Sequence, residues 1–283
     1  MVPHLLATGV PGSAWGGFVN LTNADGQGDR ASVGLNERRI GTPVASGREA
    51  RDQQEDLMRI FGPEPLFLDR RDAGRALAAR LERYRGWDPL VLGLPRGGVV
   101  VAAEVARRLD AELDVVVARK LGAPISPELA IGAVTASGER VLNEELIREL
   151  GVSEAYLVGV TAVEQREARR REAWLRGDRP PPRIAGRSVI VVDDGLATGA
   201  TMRAAVRSVR KQSPAHLVVA VPVGSREACA ALRAEADEVV CFHAPASFSA
   251  VGSYYLRFDQ TSDDEVRRLL QGFTPGAILP YAR

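Results

Sequence analysis

Residues 189–201 read VIVVDDGLATGAT, and the fold follows from how this stretch is read. Four consecutive β-branched residues, Val189 to Val192, leave no polar alternation, as in a central strand buried on both faces. Asp193 and Asp194 follow at once, and then a small-residue loop with two glycines and two threonines. Beyond the loop, Met202, Ala205, Val206 and Val209 share one face of a predicted helix. A strand ending in paired acids, a tight turn and a helix start together suit a phosphorylated polyol. Loop N–H groups and a helix N-terminus attract phosphate, and carboxylates accept hydrogen bonds from sugar hydroxyls.

Other readings of the motif fit less well. A nucleotide-hydrolysing P-loop needs GxxxxGK[ST], whereas Ala200 stands where its lysine would be and the glycine spacing differs. A dinucleotide fingerprint needs GxGxxG with its acid about twenty residues later, not before the loop. An ordinary turn with two solvated acids is the bland alternative. Adjacent carboxylates behind four buried residues repel one another unless something shares them.

Working outward, Pro89 to Leu94 is a second short buried strand, running into Pro95-Arg96-Gly97-Gly98 and a helix from Val99 to Leu109. This second strand–loop–helix unit is another candidate anion site, with a plain Gly-Gly turn as the alternative. Leu113 to Ala118 is the next strand and ends at Arg119-Lys120. The chain has two lysines, Lys120 and Lys211, against 35 arginines, a bias expected of a GC-rich genome. A lysine retained on that background points to a need for a compact ammonium, with a strand-end surface charge as the alternative for Lys120. Leu121 to Leu142 reads as a long Gly/Pro/Ser-containing loop, a length that signals function or disorder.

Helices are predicted over Asp69–Tyr84, Asn143–Leu150, Ser153–Arg176 and Asp263–Leu270, and strands over His216–Val221 and Glu238–Phe242. The arginines of the first helix read as a solvated face. Glu167 with Arg171, and Glu172 with Arg176, are i,i+4 pairs in the favourable order. The run REARRREAWLRG is interleaved with acids and reads as a solvated face, not a nucleic-acid surface. Ser225 is the expected N-cap of a helix through Ala234. The alternation predicts an α/β fold, a mainly parallel sheet with helices on both faces. Its ligands belong at the carboxyl ends of the strands, where PRGG, Arg119-Lys120 and DDGLATGAT all fall. In the tail, Phe248, Tyr254, Tyr255 and Phe258 offer faces for a planar base, or simply cap the core.

The 283 residues carry a net charge of +1, which gives no pull toward nucleic acid or membrane. No apolar run nears the ~20 residues of a membrane span, and no secretion signal opens the chain. Cys229 and Cys241 have neither metal nor redox spacing and are expected as free buried thiols in a cytoplasmic protein. Residues 1–61 are glycine-rich and aperiodic, which predicts a flexible extension, with a short helix over Arg51–Phe61. A misplaced start codon is the alternative for that segment. The folded domain is expected over 62–275, and 276–283 as a tail.

VIVVDDGLATGAT closely resembles the phosphoribosyl-pyrophosphate (PRPP) motif of type I phosphoribosyltransferases, and PRGG resembles their pyrophosphate loop. The resemblance implies that Asp193 and Asp194 hold the ribose hydroxyls and that Ala197, Thr198, Gly199, Ala200 and Thr201 hold the 5-phosphate. Arg96, Gly97, Gly98, Arg119 and Lys120 would hold the pyrophosphate, under a flexible flap and a small hood. Lys120, Asp193 and Asp194 are the implied catalytic residues. Mg²⁺ is expected, held mainly through PRPP oxygens, with no metal ligand assigned to the protein. The implied reaction transfers the phosphoribosyl group to a nitrogen of a small, nucleobase-like acceptor, as in nucleotide salvage, and a homodimer is kept as an expectation. FSAVGSYY loosely resembles the base-holding segment of purine-salvage members. One departure stands out: where several members carry an acid that assists proton transfer, this chain has Ala197. Glu128 and His243 are the remaining candidates for a base, against the plainer readings of a surface acid and a packed histidine, and a PRPP-binding regulator without turnover is the alternative function.

Overall fold

The computed structural model describes residues 65–273. The predictions for 1–61, the Arg51–Phe61 helix included, and for 276–283 lie outside the described residues. Helix α1 (Arg70–Arg80) starts at Asp69, whose carboxylate accepts from the Asp72 N–H at 2.9 Å. A single 3₁₀ turn, Glu82–Tyr84, follows it. Next come β1 (Leu90–Gly93), α2 (Gly97–Leu109) and β2 (Glu112–Val115), and then three strands, β3 (Ala118–Ala123), β4 (Ser126–Thr135) and β5 (Arg140–Leu142). Helices α3 (Glu144–Glu149) and α4 (Glu154–Arg176) lead to β6 (Ser188–Val192), α5 (Ala200–Arg210) and β7 (His216–Val223). Helix α6 (Arg226–Leu232), β8 (Glu238–His243), a 3₁₀ turn (Val251–Tyr254) and α7 (Asp263–Gln271) complete the domain.

The main sheet is parallel throughout, in the order β2-β1-β6-β7-β8. Strand β6 lies at its centre, with Leu90 opposite Val189 on one side and Ser188 opposite His216 on the other. Alternate residues of β6 feed different cores. Ile190 and Val192 join Leu77, Val101, Val105 and Val266 beneath α1, α2 and α7. Val189 and Val191 join Met202, Val206, Val209 and Leu232 beneath α5 and α6. Both faces are therefore apolar, which is why the run VIVV has no polar alternation. Each such side chain taken fully out of water contributes about 1.5–3 kcal/mol.

The stretch Leu121 to Leu142 is not a loop. It forms most of a three-stranded antiparallel sheet, β3-β4-β5, with its own core of Leu121, Ile131, Val134, Ile147 and Leu157. Its glycines suggested a loop but serve strand contact. A Cβ on Gly132 would sit 2.4 Å from the Val141 carbonyl, and one on Gly122 would sit 2.5 Å from the Pro127 carbonyl. Glycine is needed at such close backbone approaches. Irregular register between Leu121 and Ala123 marks a bulge near the hairpin tip, where Ile125 is 84% exposed.

Helix caps follow the sequence. Asn143 accepts from the Leu146 N–H, Ser153 from the Tyr156 N–H and Ser225 from the Ala228 N–H. Of the two i,i+4 pairs, Arg176–Glu172 forms at 3.1 Å. Glu167 instead pairs with Arg170 at 2.7 Å, because α7 brings Asp263 to Arg171. The basic run of α4 is likewise only partly solvated. Arg169 donates to the Ala136 carbonyl at 2.7 Å, and Arg176 reaches the buried Asp114 at 3.1 Å. Cys229 is buried and Cys241 half-buried, both as free thiols. Among the described residues, no helix is long and apolar enough to cross a membrane.

Candidate active site

At the carboxyl end of β6 the chain turns sharply. Asp193 folds its carboxylate back to accept from the Asp194 N–H at 2.8 Å. The loop is then pinned to the next strand. Leu196 N–H donates to the Val223 carbonyl at 2.9 Å, and Ser225 N–H to the Leu196 carbonyl at 2.8 Å. The Ser225 hydroxyl also donates to the Ala197 carbonyl at 2.9 Å, so one serine caps α6 and braces the loop. Gly199 has φ +78° and opens α5, which no side chain caps. Ala197 and Thr198 are exposed, Ala200 and Thr201 half-buried at the helix start. Uncapped first-turn N–H groups beside exposed loop residues are chemically suited to an anion.

The loop after β1 abuts this turn. A Cβ on Gly97 would lie 1.9 Å from Asp194 Oδ2, and one on Gly98 would lie 2.8 Å from Asp193 Oδ1 and Cα. Only glycine permits that approach, so PRGG lies directly against the acid pair. The peptide joining Pro95 to Arg96 is cis. Arg96 is half-buried and makes no ion pair among the described residues. Burial of the Asp193 carboxyl, and next the charge of Asp194, push its pKa well above the usual carboxylate range.

Arg70, at the first position of α1, enters the site. Its Nε donates to Asp194 Oδ2 at 2.7 Å and its Nη1 to the Asp259 carbonyl at 2.6 Å. Its guanidinium lies 3.8 Å over the Phe258 ring. The sequence places the α1 arginines on a solvated face, and Arg70 is the exception. A cation in the first turn opposes the helix dipole, but Arg71 shares that signal and does not enter the site. Tyr255 donates its hydroxyl to the Asp194 carbonyl at 2.5 Å, and its pKa is raised by burial and by the charge of Asp194.

Arg119 and Lys120 lie on β3 and line a cleft of about 570 Å³ with Pro95, Glu128 and Thr201. Lys120 is exposed, and Arg119 pairs through Nε with Glu164 of α4. Glu164 was not singled out from sequence, since it looks like any surface acid on a helix. The cleft thus brings together residues of the loop after β1, the strand after β2 and the start of α5. Of the two candidate bases, Glu128 lines this cleft, whereas the His243 ring lies 5.8 Å from that of Tyr254. The tail aromatics divide. Tyr254 and Tyr255 are 1% and 5% exposed and pack with Phe67, so their faces belong to the core. Phe248 stacks on Tyr254, and Phe258 keeps 37% exposure beside Arg70. Val251 covers Gly195, within 2.3 Å of where a Cβ would stand. Among the described residues, no group of three or more His, Cys, Asp or Glu side chains could hold a metal ion.

This geometry coincides with matches to known proteins. The family model "Phosphoribosyl transferase domain" matches residues 68–258. A Mycobacterium tuberculosis protein named "Putative phosphoribosyl transferase" is 49% identical over 201 residues, 71% of this chain and 45% of that protein. An adenine phosphoribosyltransferase of the same organism is 34% identical over 143 residues, half of each chain. The chain thus spans about half the length of these relatives. A crystal structure of a Thermus thermophilus protein is similar at 48% identity and a TM-score of 0.63, covering 73% of this chain and 98% of that one. With the motif, the sheet order and these matches in agreement, this chain belongs to the phosphoribosyl transferase family.

Proposed function

We propose that the protein transfers a 5-phosphoribosyl group from PRPP to a nitrogen of a small, nucleobase-like acceptor and releases pyrophosphate. The observation that carries this reading is the contact of Gly97 and Gly98 with Asp194 and Asp193 at the carboxyl ends of β1 and β6. It sets a sugar-hydroxyl acceptor pair directly against an anion loop. In the reaction the acceptor nitrogen's lone pair forms a bond to the anomeric carbon. The bond from that carbon to the pyrophosphate oxygen breaks, and its electron pair leaves with pyrophosphate. Positive charge builds on the ribose in the transition state, so positioning the sugar and neutralising the leaving group are the protein's main tasks.

Asp193 and Asp194 orient the ribose by accepting from its two hydroxyls. The N–H groups of residues 197–201 and the Thr198 and Thr201 hydroxyls take the 5-phosphate. Backbone N–H groups of Gly97 and Gly98, with Arg96, Arg119 and Lys120, take the pyrophosphate. The Arg119–Glu164 pair makes Arg119 a less available partner than the exposed Lys120. The nearby carboxylate oxygens of Asp193 and Asp194 fit a hard cation that brings most of its own ligands. Mg²⁺ held by PRPP oxygens would offset pyrophosphate charge as it leaves.

The 34% identity to an adenine phosphoribosyltransferase supports a purine acceptor, over half of each chain. Ala197, in the position where some members carry an acid, supports the second reading, a PRPP-binding regulator without turnover. A cytoplasmic setting and a homodimer complete the proposal. Pyrophosphate release from PRPP, measured with purines, pyrimidines and simple amines as acceptors, separates the two readings. Release with one acceptor class establishes the transferase, tight binding without release establishes the regulator, and absence of PRPP binding overturns both.

A further inference from the structure

We propose that Arg70 is a positioning residue for ribose recognition, holding the Asp194 carboxylate in place to accept a sugar hydroxyl. This rests on the phosphoribosyl reading of the acid pair. Two adjacent, largely enclosed carboxylates repel each other, and Asp194 is free to swing away from Asp193 unless something restrains it. Arg70 supplies that restraint and is itself held on two sides. Its Nε donates to Asp194 Oδ2 at 2.7 Å, its Nη1 donates to the Asp259 carbonyl at 2.6 Å, and Phe258 supports one face of the guanidinium at 3.8 Å. The side chain is only 13% exposed, and that of Asp194 17%.

The bond also spares the other carboxylate oxygen. With Oδ2 committed to Arg70, the Oδ1 atom is the one left to meet a ligand. Tyr255 fixes the same residue from behind, through its carbonyl. Arg70 therefore ties three segments distant in sequence, α1, the acid turn and residues 258–259 of the tail, into one unit. A lysine would keep the charge but lose the planar fork and the stacked face.

The test compares two ligands by calorimetry. PRPP carries the ribose hydroxyls, and inorganic pyrophosphate lacks them. In Arg70→Gln, PRPP should bind on the order of ten- to a hundredfold more weakly, the loss expected for a hydrogen bond to a charged group. Pyrophosphate, which makes no use of Asp194, should bind within about twofold of its wild-type affinity. Arg70→Lys should recover part of the PRPP affinity. Phe258→Leu, which removes only the support of the guanidinium, should reproduce a smaller PRPP-selective loss and keeps the test open if Arg70→Gln does not fold. Equal losses for both ligands, or no loss for PRPP, overturn the proposal. Wild-type protein that binds pyrophosphate but not PRPP would instead overturn the phosphoribosyl reading, and this proposal with it.

Discussion

Replacing Gly97 by alanine should disable the site while leaving the fold intact. The added Cβ would stand 1.9 Å from Asp194 Oδ2 and 2.5 Å from Arg70 Nε. Ordinary contact begins near 3.4 Å, so the carboxylate must retreat by about 1.5 Å to make room. Gly97 has no left-handed backbone angle and stands in the first turn of α2, so alanine itself is tolerated there. The cost falls on the side chains, because the Arg70–Asp194 bond must break or shift. A displacement of about 1 Å in a positioning group is worth roughly a hundredfold in function. PRPP affinity should therefore drop about a hundredfold, or about 2.7 kcal/mol. The loss of folding stability should stay within about 1.5–3 kcal/mol, the range for a hydrogen bond to a charged group. Calorimetric titration with PRPP, paired with a thermal melt of the free protein, measures both. Wild-type affinity in a folded Gly97→Ala variant would show that PRGG does not share a ligand with the acid pair.

Two further substitutions test the energetics. Asp193→Asn should abolish PRPP recognition yet raise the melting temperature, and the gain should grow with pH. Folding raises the Asp193 pKa above its ordinary value of 3.8, first by burial and then by the Asp194 charge. Native stability is therefore lost as pH rises from that value toward the folded pKa, a loss that asparagine escapes. A melting-temperature difference that is flat from about pH 4 to about pH 8 would contradict the assignment. Asp114→Ala should destabilise by about 3 kcal/mol, the low end for breaking a buried pair. Asp114 is 1% exposed between Arg176 and Arg179, and both arginines retain other acceptors, Glu172 for the first and main-chain carbonyls for the second. Chemical denaturation giving a loss below about 1 kcal/mol would mean that those acceptors suffice.

Much of the fold was legible because its signals are local. An uninterrupted VIVV run means two covered faces, and Asn143, Ser153 and Ser225 cap helices with their own neighbours. The antiparallel sheet was not legible. Gly122 and Gly132 mark close strand contacts there, and composition cannot distinguish such a glycine from one in a loop. The same holds for charge. Glu167 and Arg171 have the spacing of a helical pair, but Asp263 arrives from α7 and takes the arginine.

For the candidate site, the sequence by itself determined which chemistries are present: paired acids after a buried strand, a glycine turn into a helix, and a second glycine turn after another strand. Those features depend on residues close in the chain, where backbone geometry and burial act directly. Tertiary structure alone decided how they meet. The contact of Gly97 and Gly98 with the acids joins residues nearly a hundred positions apart, and the Arg70–Asp194 bond spans 124. Nothing local separates Arg70 from Arg71 beside it, because its role exists only where β1, β6 and the tail converge. VIVVDDGLATGAT announced a ligand for paired carboxylates. The fold decided that an arginine from the first helix would hold one of them in place.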